Sequence, residues 1–560
     1  MPIVGWAAAG APAEAARGMV VSSQADATRA GVAMLERGGN AIDAAVATGF
    51  ALAVTQPMST GIGGGAFALV RLASGQILAL DCRETAPAAA TRDMFVRPGV
   101  KPSASLYGAL AVATPGLVAG LTELQALHGL LPLGVVLEPA IRLAREGFAI
   151  GPYHARRLEQ VRAMGLPDEF PETGRIQFPP DGQPIRAGWR LVQSELADTL
   201  AAIAVQGPDV FYRGEVAHAI AAEMQRRGGL VSREDLASYT PKWRKPLLGT
   251  YRGFEVVSFP PPSSGGVALL GMLNVLEGFD LAALGPGSSA SIHRVAEAMK
   301  LAFADRNSLL GDPDFVAVPV DALISKAYAA RQRARINPPF YERSPFTWGR
   351  GESAIAVEGP GLPLEDSGTT HVSTADAAGN AVALTKTINT PWGSGITVPG
   401  TGVLLNNEMD DFSVAPNVPN AYGLVDTRGQ NAIAPGKRPL SSMTPSFLQK
   451  DGRLVMVTGS PGGPRIITTT LLTLLNVVDY GMNVQEAVAA PRFHHQWLPD
   501  RLLVEPETPA DVRDALAARG HVVEVGDEHW SSAEALVVDP VTGRFSGGSD
   551  PRRDGLAAGL

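Results

Sequence analysis

The sequence predicts an α+β protein in which stacked sheets are covered by helices on both sides. Three observations lead there. The chain has 560 residues, 45% hydrophobic and only 18% charged, which fits one large core or two domains and excludes a disordered chain. Helical periodicity fills the middle, roughly 110–337, whereas strand-like runs dominate after 369. The 62 Gly and 44 Pro supply many tight turns between those elements.

In chain order, Ala27–Arg37 reads as a helix that Asp26 can cap and Gly38-Gly39 stops. Ala41–Val54 is apolar nearly all round and reads as a buried helix. A glycine loop, Ser59–Gly65, precedes strand-like runs at Phe67–Arg71 and Gln76–Cys82. The loop lacks G-x-G-x-x-G spacing, follows a helix and precedes strands, so a tight turn against another backbone is expected rather than a dinucleotide site. Helices are expected at Pro115–His128, Glu195–Val205, Glu215–Arg227 and Ser289–Ala304, with a turn at Pro260–Gly266. From Pro338 to Gly368 periodicity is lost, as in a linker. Strands follow at Val372–Ala375, Ala381–Ile388, Val403–Asn406, Ser446–Gln449 and Leu454–Thr458, then a helix at about Arg465–Val478. A helix at Pro509–Arg519 and strands at Val522–Val525 and Ala535–Val538 finish the chain.

Composition removes several function classes. Net charge is −8 with no long basic run, so nucleic-acid binding has no electrostatic footprint. The single cysteine, Cys82, excludes an intrachain disulfide and a multi-thiolate zinc site. Cys82 ends an apolar run and reads as core rather than nucleophile. The longest apolar helix, Ala41–Val54, carries Asp43 and falls short of the ~20 residues that span a bilayer. No leader is read in Met1–Ala16, which predicts a cytoplasmic protein, or a periplasmic or secreted one if a leader is missing.

Five stretches carry chemistry. In Asp366-Ser-Gly-Thr-Thr-His-Val-Ser373, a Thr follows a Gly at a loop-to-strand junction. Breaking the Gly368–Thr369 bond would give Thr369 a free α-amine beside its own hydroxyl, an activated nucleophile; the alternative is an ordinary β-branched pair in a strand. Gly459-Ser-Pro-Gly-Gly-Pro-Arg-Ile466 joins a strand to a helix, where outward N–H groups suit an oxyanion, or it is a plain corner. Arg83 at a strand end is either ion-paired, with Glu84 or another carboxylate, or a fork for a substrate carboxylate. Asn406-Asn-Glu-Met-Asp-Asp-Phe412 suits Ca²⁺, an ammonium group, or a solvated turn. Pro439-Leu-Ser-Ser-Met-Thr-Pro445 offers two hydroxyls to a carboxylate, or is a polar loop; no G-x-S-x-G elbow marks a serine nucleophile. His371, His494 and His495 show no metal-binding spacing, so no metal is expected.

Taken in order, these stretches resemble the γ-glutamyltransferase (glutathione hydrolase) family of N-terminal-nucleophile hydrolases. The resemblance runs from about Gly18 to Asp554, and also uses Gly38-Gly-Asn-Ala-Ile-Asp43, Arg83-Glu-Thr-Ala-Pro87 and Ser549-Asp-Pro-Arg-Arg-Asp554. It implies a four-layer αββα sandwich of two stacked, mainly antiparallel sheets. It implies a proenzyme cut before Thr369 into 1–368 and 369–560, the two pieces interleaved in one core. It implies Thr369 as nucleophile and Thr387 as the hydroxyl that orients it. Asn389, Glu408 and Asp411 would hold the α-ammonium of the γ-glutamyl group; Arg83, Ser441 and Ser442 would hold its α-carboxylate. Gly462 and Gly463 would form the oxyanion hole. Many members have Gln where Glu408 stands. The segment Ser413–Gly436, with Tyr422, resembles the loop that covers the glutamyl pocket; members lacking it tend to accept bulkier acyl groups, including cephalosporin side chains. The resemblance implies no cofactor, γ-glutamyl donors such as glutathione, and water, amino acids or dipeptides as acceptors. The rival expectations are an acylase for glutaryl-type amides on the same fold, and an uncleaved binding protein.

Overall fold

The computed structural model describes residues 10–180, 183–336 and 368–560. The stretch read as a linker lies, up to residue 367, outside the described residues.

Two seven-stranded sheets form the centre, and every neighbouring pair in both is antiparallel. The first sheet runs Leu556–Gly559, Gly18–Ser22, Gly368–Asp376, Ala381–Asn389, Gly65–Arg71, Ile77–Cys82 and Lys242–Arg244. The second runs Ala13–Ala15, Phe545–Ser549, Glu534–Val538, Arg453–Gly459, Ser446–Lys450, Phe254–Ser258 and Leu247–Tyr251. Both sheets combine strands from before and after residue 368, so the two segments share one core.

Period-2 alternation lets each strand bury side chains on both faces. Met19, Val21, Phe67 and Leu69 of the first sheet meet Val257, Phe447, Val457 and Leu536 of the second in one apolar layer. Phe67 stacks on Phe259 across that layer, ring centroids 4.3 Å apart. The outer face of the first sheet packs on helices that include Ala25–Glu36, Ala41–Thr55 and Leu117–His128. The outer face of the second packs on Gly265–Leu276, Ser289–Leu309 and Arg465–Val478. The result is the expected four-layer αββα sandwich.

Three expectations are corrected. Gln24, not Asp26, caps the first helix: its side-chain oxygen accepts from Ala27 N at 2.9 Å, while Asp26 sits in the first turn and pairs with Arg29. The expected strand Val403–Asn406 is only Val403–Leu404, because the Asn406 side chain turns away to donate to the carbonyls of Gly63 and Ala113. The largely helical middle hides the hairpin Leu247–Tyr251/Phe254–Ser258. Its turn, Arg252-Gly253, has positive φ at both residues, the two-residue form that matches strand twist.

The glycine loop behaves as expected. A Cβ on Gly64 would lie 2.0 Å from the Thr387 carbonyl oxygen, and one on Gly63 2.3 Å from that of Leu404. These contacts bring the loop against the strand that carries Thr387.

Candidate active site

Thr369 opens a central strand of the first sheet, just past a register shift at Gly368/Thr369. Gly368 is required there, since a Cβ would fall 2.2 Å from the Thr390 carbonyl oxygen. Thr387 stands opposite Thr369 on the neighbouring strand. Its hydroxyl donates to the Gly368 carbonyl at 2.8 Å and accepts from Asn389 N–H at 2.8 Å. A hydroxyl has one proton to give. At the 2.9 Å contact between the two hydroxyls Thr387 therefore accepts and Thr369 donates. That directs the proton of Thr369 Oγ1 toward Thr387 and leaves its lone pairs to point elsewhere. Arg553 Nη1 donates to the Thr369 carbonyl at 2.9 Å and fixes the residue from behind.

Beside Thr369 lies a pocket lined by Arg83, Thr369, Thr387, Asn389, Glu408, Asp411, Tyr422, Ser441, Ser442 and Gly463, together with Leu424, Met443 and Ile466. Of the residues expected at the site, only Gly462 is not among its walls. Arg83 is buried and forked: Nη1 pairs with Glu408 Oε1 and Nη2 with Asp411 Oδ2, while Nε donates to the Pro439 carbonyl at 3.2 Å. Glu84, the sequence neighbour, is 3.8 Å away. The ion-paired reading of Arg83 holds, with Glu408 and Asp411 nearer than Glu84. The nearest carboxylates come from the Asn406–Phe412 stretch. Its amides are engaged elsewhere: Asn406 binds backbone carbonyls, and Asn407 binds the Leu106 carbonyl and Thr390. Asp410 is held by Ser105 and Ala421 N–H. Glu408 and Asp411 are left facing a guanidinium.

The cluster gathers three carboxyls around one arginine. Burial pushes Glu84 up to about 7, partly offset by Arg83. Burial also holds Glu408 well above the carboxylate range, against the pull of Arg83 and with the push of Glu84 and Asp411. Burial opposes the charge of Arg83, yet Glu408, Asp411 and Glu84 outweigh it and keep the guanidinium firmly protonated. The pocket therefore presents carboxyl groups and a guanidinium side by side on one wall.

The other residues expected at the site are held firmly in place. Gly462 and Gly463 have φ of 131° and 56°, both in the region that favours glycine, and precede the helix Arg465–Val478. A Cβ on Gly462 would meet Ser531 Oγ at 2.1 Å, and one on Gly463 the Tyr422 ring at 2.6 Å. Tyr422 donates its hydroxyl to the Asn389 carbonyl at 2.5 Å. The loop that carries it is tied down: Asp426 accepts from the N–H groups of Arg428, Gly429, Gln430 and Asn431. Asn389 has φ of 77° and donates to the Asn407 carbonyl at 3.0 Å. Ser441 is pinned through its backbone to Pro262 and Ser264.

Other candidates fall away. Cys82 is buried against Gly120, where a Cβ would sit 2.4 Å from its sulfur. His371 is buried between Thr385 and Ser373. Arg553 and Glu84 join the site without having been singled out. The only signals for them were the Asp-Pro-Arg-Arg-Asp stretch near the chain end and adjacency to Arg83.

A family model for gamma-glutamyltranspeptidase matches residues 27–560. A glutathione hydrolase proenzyme of Escherichia coli (strain K12) is 48% identical over 551 residues, covering 98% of this chain and 93% of that protein. A protein named acylase ACY 1 proenzyme, from Pseudomonas sp. (strain V22), is 41% identical, covering 98% of this chain and 94% of that protein. Among solved structures, a cephalosporin acylase from Bacillus halodurans superposes with a TM-score of 0.85 at 32% identity, covering 100% of this chain and 99% of that one. With a site assembled on a matching fold, this chain belongs to the gamma-glutamyltranspeptidase family.

Proposed function

We propose that this chain is a γ-glutamyl hydrolase and transferase that matures by cutting itself before Thr369. The observation that carries the reading is the Arg83–Glu408–Asp411 ion cluster on the wall of the pocket at Thr369. A zwitterion can replace those contacts pairwise: its carboxylate takes Arg83, helped by Ser441 and Ser442, and its ammonium takes Glu408 and Asp411, helped by Asn389. Held at both charges, a γ-glutamyl group presents its γ-carbonyl to Thr369, so binding becomes orientation.

Maturation starts when Thr369 Oγ1 attacks the Gly368 carbonyl carbon, whose oxygen Thr387 polarises. The peptide bond breaks as an ester forms on Thr369 Oγ1, and the freed nitrogen takes up the proton. Water hydrolyses the ester, leaving fragments 1–368 and 369–560. In the mature enzyme the α-amine of Thr369 accepts the proton of its own hydroxyl. The alkoxide attacks the γ-amide, the tetrahedral oxyanion rests on the N–H groups of Gly462 and Gly463, and the leaving amine departs with the proton. Water then releases glutamate from the acyl-threonine, or an amino acid or dipeptide takes the acyl group. Glutathione fits as donor.

The competing substrate class is a glutaryl-type amide. Glutaryl has no ammonium and would leave the carboxylates beside Arg83 without their cation. Uncompensated buried charge costs about 3–5 kcal/mol, so kcat/KM for a γ-glutamyl anilide should exceed that for the glutaryl anilide by about 10²–10⁴-fold. Equal values would favour the acylase reading. No helix among the described residues is long and apolar enough to cross a membrane.

A further inference from the structure

Away from the pocket, His293, Glu297 and His521 each offer a ligand atom, and those atoms lie within 4.8 Å of one another. His293 and Glu297 are one turn apart on the helix Ser289–Leu309, so they share a face. His521 follows the helix Ala510–Ala518 and precedes the strand Val523–Val525. His293 Nδ1 and His521 Nε2 are 2.8 Å apart. The other nitrogen of His521, Nδ1, is buried and has no hydrogen-bond partner among the described residues.

We propose that His293, Glu297 and His521 bind a divalent transition metal ion of the zinc class. Two imidazoles and a carboxylate are the donor set such ions take, with a fourth position for water. The rings need to part from 2.8 Å to the roughly 3.4 Å that tetrahedral coordination at ~2.1 Å imposes, and the Glu297 oxygen, within 4.8 Å of them, to settle at a similar spacing. Arg519, Arg294 and Lys300 are the competing cations around His293, and Lys300 lies 3.2 Å from Glu297 Oε1. It already touches Asp500 at 3.2 Å and keeps that partner when a metal arrives. Local spacing gave no sign of the site because its third ligand lies far along the chain.

His293 and Glu297 precede the proposed cut and His521 follows it, so the ion would clasp the two fragments. That consequence rests on the proposed cleavage; metal binding itself does not. The test strips the protein with EDTA, then titrates Zn²⁺ by calorimetry and counts bound metal, on both the wild type and the uncleavable Thr369→Ala chain. The expected result is one Zn²⁺ per chain in both, with Kd below about 10 µM. His293→Gln and His521→Gln should abolish it, Glu297→Gln should weaken it about tenfold or more, and γ-glutamyl anilide hydrolysis should persist in all three. Co²⁺ in the wild type should give the visible bands of a four-coordinate site. In the cleaved protein, Zn²⁺ should also raise the temperature at which the fragments separate. Absence of stoichiometric binding by the wild type, or binding unchanged in both histidine variants, overturns the proposal.

Discussion

Replacing Thr387 by Val removes one oxygen while keeping a β-branched side chain of nearly equal size in the strand. Three hydrogen bonds meet at that oxygen: from Thr369 Oγ1, from Asn389 N–H and to the Gly368 carbonyl. The last polarises the bond that self-cleavage breaks. A single donor aimed at a developing oxyanion is worth about 3–4 kcal/mol, so cleavage should slow by about 10²–10³-fold. The buried Asn389 N–H loses its partner as well, at about 1–3 kcal/mol of stability. Thr387→Ser keeps the hydroxyl and should restore cleavage to within about tenfold. The assay is a timed gel of freshly purified precursor, scored as the fraction cut. Thr387→Val cleaving at the wild-type rate, or Thr387→Ser as slow as Thr387→Val, would refute the assigned role of the hydroxyl.

Three further outcomes are expected. Arg83→Lys cannot reproduce a fork that serves Glu408, Asp411 and Pro439 together, so KM for γ-glutamyl anilide should rise about tenfold or more; steady-state kinetics with KM unchanged would contradict this. Gly462→Ala meets both the positive φ and Ser531, and should lower kcat about 10²–10³-fold, with KM the smaller effect. The third concerns pH. Glu84 keeps its proton up to about 7 in the fold but loses it near 4.5 when unfolded. Between those values the folded state binds more protons, so this group lowers stability as pH rises, by at most about 1.4 kcal/mol per unit, and the loss levels off above about 7. Glu84→Gln removes that slope, and its Tm should gain on the wild type between about pH 5 and 7; parallel Tm–pH curves would count against the buried protonated carboxyl.

What was legible in the sequence follows physical locality. The strands that flank Thr369 were readable because β-branched residues such as Thr374, Val382 and Thr385 suit a pleated surface. The glycine loop was readable as a close backbone approach, since its spacing and neighbours excluded a nucleotide cradle. Long-range pairing was not readable. No local pattern says that Arg83 faces Glu408 and Asp411 rather than Glu84 alone; the sheet register and the loop after Val403–Leu404 bring them together. The resemblance named these residues separately, as carboxylate and ammonium holders, and the fold adds that Arg83 pairs directly with Glu408 and Asp411. Arg553 reaches the Thr369 carbonyl from the far end of the chain for the same reason. The hairpin at 247–258 escaped notice because two five-residue strands give too short a run for periodicity to speak against the helices around them.

The central claim is that Thr369 acts through its own freed α-amine. Intact-mass analysis with N-terminal sequencing of active protein tests it most directly. The account predicts two fragments, the shorter beginning at Thr369, from a chain of 58.4 kDa. A single uncut chain that still releases glutamate from a γ-glutamyl anilide would contradict it.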